Sequence, residues 1–182
     1  MFLLEKYIAL LRGINVSGKN KIAMPELRKV FEEFGFTDVT SYINSGNVLF
    51  TTANQYKTDL IRKIETLITE KFMLEIPVTV VSTKELTATL AHAPAWWDID
   101  KEAVNYAIFL IPPMDIATVF AAVGEIKPEY EQIDYHENVI FWTAPLKTFQ
   151  KARWSKIASS AANNHVTIRN ANTVNKLLKM AE

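Results

Sequence analysis

Ten residues directly after the first apolar run, Arg12-Gly13-Ile14-Asn15-Val16-Ser17-Gly18-Lys19-Asn20-Lys21, combine three cations, two glycines and two side-chain amides. A loop of that composition has the chemistry to hold an anion. Glycines let the backbone approach, amides orient the ligand, and cations attract it. The candidate lining is Arg12, Gly13, Asn15, Gly18, Lys19 and Asn20. A second group stands near the other end, where Arg169-Asn170-Ala171-Asn172-Thr173, with Lys176, leaves a strand and enters a helix. A helix start beside an arginine favours an anion through its free N–H groups and its dipole. Asn172 or Thr173 is the expected cap of that helix. Asn44-Ser45-Gly46-Asn47 reads as a turn between two strands, and Asn44, Ser45 and Asn47 join the site if the turn lies beside the basic loop.

Residues 13–20 also match the G-x-x-x-x-G-K opening of a phosphate-binding P-loop. Two physical requirements fail. Asn20 stands where a magnesium-holding hydroxyl belongs, and the next helix starts at Pro25, which disfavours helical Met24 and leaves Lys19 outside it. Nucleotide hydrolysis is therefore not expected, and no cofactor is called for. His92, His136 and His165 are scattered without ligand spacing, so no metal site is expected. The chain has no cysteine, which removes thiolate and disulfide chemistry. No Ser-His-Asp constellation is legible, and no residue identifies itself as a general base, although loop cations could stabilise developing negative charge in an enzyme. Asp98 and Asp100 after Trp96-Trp97 read as a carboxylate pair against an aromatic wall or as plain loop acids. Trp154 among Lys151, Arg153 and Lys156 reads as a cation–π site or as half-buried helix surface.

The elements that position these groups follow from periodicity and turn chemistry. Tyr7 to Leu11 is a strand, Pro25 opens a helix with Leu27, Val30, Phe31 and Phe34 at helical spacing, and Gly35 stops it. Strands at 39–43 and 48–52, a helix carrying Leu60, Ile64, Leu67, Ile68 and Phe72, and a strand at 77–81 complete a first half. Ser82 and Glu85 form a capping box for a trailing helix to about His92. After Pro94 the order restarts: strand 106–111, helix 115–123, strands 130–134 and 139–143, a helix over 155–162, strand 166–169 and a last helix from Thr173. Both halves read β-α-β-β-α-β, an α+β fold of two tandem ferredoxin-like subdomains, 1–93 and 94–182, docked together. The second half makes its first strand-to-helix connection with the short, uncharged 111–114 turn. The basic loop is thus longer than the scaffold requires, as binding loops are.

Residues 1–30 carry six Lys/Arg against two acids, and residues 138–182 carry seven against one, around an acidic middle. Two basic ends could build one cationic face. Three uses fit: a small anionic or phosphorylated ligand at the basic loop, nucleic-acid binding through the basic C-terminal third, or a protein-interaction module using Trp96, Trp97 or a free sheet edge. An RNA-recognition variant would display Tyr7 and Phe50 on the central strands. No apolar run reaches membrane-spanning length, and Met1 to Lys6 lacks the basic start and long apolar core of a signal peptide. A cytoplasmic protein without a membrane partner is expected.

Arg12 to Lys21, Met24, Glu26-Leu27, residues 35–39 and residues 42–48 resemble the opening of a bacterial family known as domain of unknown function 1697. Residues 167–177 resemble its closing motif. The resemblance implies an α+β fold of two ferredoxin-like halves and no established activity. This chain departs from the family pattern at Ser17, commonly glycine, and at Ala171, often aromatic.

Overall fold

A computed structural model describes residues 3–182; Met1 and Phe2, the start of the segment read for a leader, lie outside them. Contacts divide the chain into two units, Met1–Thr87 with Leu177–Glu182, and Ala88–Lys176. The architecture is mixed α+β, with one four-stranded antiparallel sheet in each unit.

The first unit runs β1 (Leu4–Leu11), α1 (Met24–Glu33), β2 (Thr37–Tyr42), β3 (Asn47–Ala53), α2 (Lys57–Phe72) and β4 (Val78–Ser82), then α3 (Thr83–Ala91). Its strands lie in the order β2-β3-β1-β4. Alternation along the strands puts Tyr7, Ala9, Leu11, Val48, Phe50, Val78 and Val80 in one core with Leu27 and Phe31 of α1 and Leu60, Ile64 and Ile68 of α2. Tyr7 and Phe50 are cross-strand partners, stacked with ring centroids 5.9 Å apart. Both rings are buried in this core, so they offer no stacking platform to RNA. The capping box forms as expected: Ser82 N–H donates to Glu85 and Glu85 N–H donates to Ser82 Oγ. Helix α1 starts at Met24, one residue before the expected Pro25, with Ala23 in extended backbone at the cap position.

The second unit runs β5 (Ala103–Leu110), α4 (Ile116–Val123), β6 (Gln132–His136), β7 (Val139–Pro145), β8 (Val166–Asn170) and α5 (Ala171–Ala181), the last turns of which group with the first unit. Its strand order is β6-β7-β5-β8. Strand β6 begins later than expected because Tyr130 and Glu131 donate their N–H groups to Lys127 O in a turn. The helix expected over residues 155–162 is absent. In its place stand three short 3₁₀ segments, Leu146–Lys151, Trp154–Ser159 and Asn163–His165. Tertiary anchoring overrides helical propensity there. The Trp154 indole donates to Gly124 O at 2.9 Å, and the N–H groups of Arg153 and Trp154 go to the Glu131 carboxylate. Trp154 is 1% exposed and packs edge-on against Phe120, so it is core rather than half-buried surface, and the cation–π contact belongs to Lys151 and Tyr130 instead.

Candidate functional site

The basic loop leaves β1 pinned at both neighbours: Leu11 N–H donates to Gly46 O at 2.8 Å and Arg12 N–H to Pro77 O at 3.0 Å. Beyond them the chain turns back on itself. Lys19 N–H donates to Val16 O at 2.9 Å across the Ser17-Gly18 turn, and Asn15 N–H donates to Asn20 O at 3.1 Å. Five of the eight residues from 13 to 20 are left-handed: Gly13, Asn15, Ser17, Gly18 and Asn20, with φ of 71°, 54°, 50°, 74° and 46°. A non-glycine residue in that region costs about 1–2 kcal/mol and persists only where its surroundings over-determine it.

The amides do the determining. Asn15 Nδ2 donates to Ile22 O and to Asn44 O, both at 2.9 Å, while its Oδ1 accepts Ile22 N–H at 2.9 Å. Asn20 Nδ2 donates to Gly13 O at 2.9 Å. Asn15 and Asn20 therefore spend their hydrogen bonds on holding the loop shut. The 44–47 turn lies directly against the loop, through the Asn15–Asn44 and Leu11–Gly46 bonds. It is strained in its own right: Ile43, a β-branched residue, sits at φ 48° and is 50% exposed. Asn47 is fully buried, with Nδ2 donating to Tyr42 O and Ser45 Oγ, so it shapes the turn.

Between loop and turn lies a cleft of about 430 Å³, lined by Asn15, Gly18, Lys21 and Asn44 on the polar side and Ile22, Ala23 and Met24 on the other. Its apolar wall runs into the first residues of α1, where Ala23 supplies no side-chain cap and Pro25 no N–H. Lys19 and Lys21 are exposed; Lys21 lines the cleft and Lys19 does not. Arg12 is half-buried, and desolvation pulls its guanidinium below the ordinary arginine value. Lys21 is the cation that composition alone did not separate from its neighbours. Replacing Ser17 by glycine relieves a left-handed side chain at an exposed position. Ser17→Gly is expected to stabilise the protein by about 0.5–1 kcal/mol, read as a higher urea midpoint at unchanged slope.

The second candidate group is built differently. Arg169 is 7% exposed, and its Nη1 donates to Thr167 Oγ1 at 2.7 Å and Ile168 O at 2.9 Å. Desolvation lowers its pKa to about 10, which leaves it a cation at neutral pH. The cap of α5 is Asn170, whose Oδ1 accepts Thr173 N–H at 2.8 Å; neither Asn172 nor Thr173 serves. Thr173 is buried, while Asn172 and Lys176 are exposed. A cleft of about 310 Å³ touches Asn170 and Asn172, but its other walls include Asp98 and Asp100. Asp98 accepts from Asn175 Nδ2 at 2.8 Å and lies 3.7 Å from Lys101, so the protein's own carboxylate meets the first turns of α5. Arg169 to Lys176 belong to the second unit and the basic loop to the first. Among the described residues no group of three or more His, Cys, Asp or Glu could hold a metal ion. No described helix is long and apolar enough to cross a membrane.

Glu131 carried no sequence signal and is a buried, heavily bonded side chain of the second unit. Only 3% exposed, it accepts Lys127 N–H and Arg153 N–H on Oε1, each at 2.8 Å, and the Trp142 indole at 2.8 Å and Trp154 N–H at 3.0 Å on Oε2.

Comparison with known proteins agrees with the resemblance. The chain belongs to the family described as "Protein of unknown function (DUF1697)", which matches residues 4–141. Among solved structures, it is similar to that of conserved bacterial protein SP0830 from Streptococcus pneumoniae. The two are 33% identical with a TM-score of 0.89, over 99% of this chain and 100% of that one. No curated protein matches the chain.

Proposed function

We propose that the first-unit cleft binds a small anionic ligand, of which a phosphorylated metabolite or nucleotide is the favoured class. The observation that carries this reading is the ring of left-handed residues from Gly13 to Asn20, closed by its own amides, which fixes Gly18 and Lys21 at the mouth of a cleft leading to the start of α1. Strain of this kind concentrates where a backbone is held ready for a ligand. Lys21 supplies direct attraction, Lys19 and Arg12 add to the local field, and the apolar wall of Ile22 and Met24 accepts the body of the ligand. In this reading the first unit carries the site by itself, and the protein acts in the cytoplasm. Each unit is a version of the ferredoxin-like plan, the second having exchanged one helix for 3₁₀ segments.

Ligand-dependent thermal stabilisation tests the reading, since a ligand that prefers the folded state raises stability by about 2.7 kcal/mol at a hundredfold excess over Kd. For a chain of this size that corresponds to a melting-point rise of roughly 5–10 °C. Across inorganic phosphate, pyrophosphate, nucleoside monophosphates and organic acids, at least one phosphorylated compound is expected to give such a rise. Lys21→Ala should abolish it and Lys19→Ala reduce it. A rise of equal size in wild type and Lys21→Ala would place the ligand elsewhere.

A further inference from the structure

The 3₁₀ region of the second unit and the turn before β6 carry a group of cations that the cleft does not use. Lys127, Lys151, Arg153 and Lys156 are all exposed. Among the described residues no ion pair engages any of them. Glu131 brings them together, because one of its oxygens accepts the N–H groups of both Lys127 and Arg153, fastening the turn before β6 to the 3₁₀ region. Lys156 follows within one turn, its N–H donating to Arg153 O. The Arg153 side chain lies over Gly124, where an added Cβ would meet Arg153 Cδ at 3.3 Å.

An aromatic ring borders the same surface. Lys151 Nζ stands 5.5 Å from the centre of the Tyr130 ring. The exposed acids of the turn, Glu125 and Glu129, leave the four cations in excess.

We propose that this surface binds single-stranded nucleic acid, with Lys127, Lys151, Arg153 and Lys156 on successive phosphates and Tyr130 beside a base. The choice between a nucleic acid and an acidic protein rests on the composition of the patch. Interface cores between proteins are depleted in lysine, and this patch is three lysines and an arginine. Cations that track a backbone, interleaved with aromatic rings that stack on any base, are the means by which single strands are held without sequence preference. The surface lies on the turn before β6 and the 3₁₀ region, where Glu131 and the Trp154 indole hold the backbone in place from beneath.

The test is fluorescence anisotropy of the full chain with a labelled twelve-nucleotide single strand, DNA and RNA in parallel, across a salt series. Four phosphate contacts predict that affinity falls about 50-fold between 50 and 200 mM salt. The Lys151→Ala/Arg153→Ala double variant should weaken binding and cut that fall to about sevenfold, as two contacts are lost. Tyr130→Leu should weaken binding without altering the salt slope, which a purely electrostatic patch would not show. Lys21→Ala should leave binding unchanged, which separates this surface from the first-unit cleft. Melting curves confirm that each variant is folded. No binding at 50 mM salt, an undiminished salt slope in the double variant, or equal affinity for polyglutamate would overturn the proposal.

Discussion

Glu131→Gln is expected to destabilise the second unit by about 3–5 kcal/mol, the scale of breaking a buried charged cluster. The geometry explains the size of the effect. Each carboxylate oxygen accepts two N–H groups, and the amide that replaces one oxygen would point two further hydrogens at two existing donors. Two N–H groups would be left buried without an acceptor, each at about 1–3 kcal/mol. All four tryptophans, at 96, 97, 142 and 154, lie in the second unit, so tryptophan fluorescence in urea reads its unfolding directly. A loss below about 1 kcal/mol would show that the 3₁₀ region holds its place without the carboxylate. The same variant should also weaken nucleic-acid binding, because it loosens the backbone that carries Arg153.

Gly46→Ala is the second large effect, expected at about 2–4 kcal/mol and centred in the first unit. Two causes add. At φ 91° the position favours glycine, and a Cβ there would meet Leu11 Cβ at 2.7 Å and Ile14 side-chain carbons at 3.1 Å. Leu11 Cβ is fixed by the strand backbone and cannot swing aside. The 44–47 turn would have to lift away from β1, lengthening the Leu11 N–H to Gly46 O bond and displacing Asn44 from Asn15. Stability measured by far-ultraviolet circular dichroism should fall, and ligand stabilisation should fall with it. A stable Gly46→Ala protein that still binds would show that the close packing of the turn on β1 is not needed for the site.

The sequence disclosed the strands and most helices because burial and periodicity are local. Leu27, Val30 and Phe31 at helical spacing, and alternation in β1 and β3, need no knowledge of the rest of the chain. The Ser82–Glu85 box was legible for the same reason, since both its hydrogen bonds span three residues. What stayed hidden depended on distant partners. The helix expected over 155–162 is displaced by Glu131, more than twenty residues upstream, and nothing in the local pattern records that bond. The loop from Arg12 to Lys21 is visible in the sequence as a chemically unusual segment, and the Asn15–Asn44 bond sets the 44–47 turn beside it. The role of its amides was not visible. Asn15 and Asn20 also fasten the loop, and Asn15 lines the cleft together with Lys21, at the edge of the motif. The φ of 50° at Ser17 is a conformation that glycine would adopt at lower cost.

The measurement that bears most directly on the central claim is an amide nuclear magnetic resonance titration of the whole chain with the phosphorylated compound that stabilises it most. Saturable shifts are expected at Gly18, Lys21, Met24 and Asn44, all on the first-unit cleft, and they should vanish in Lys21→Ala. Shifts confined instead to Asn170, Asn172 and the first turn of α5 would contradict the account and assign the anion to the second unit.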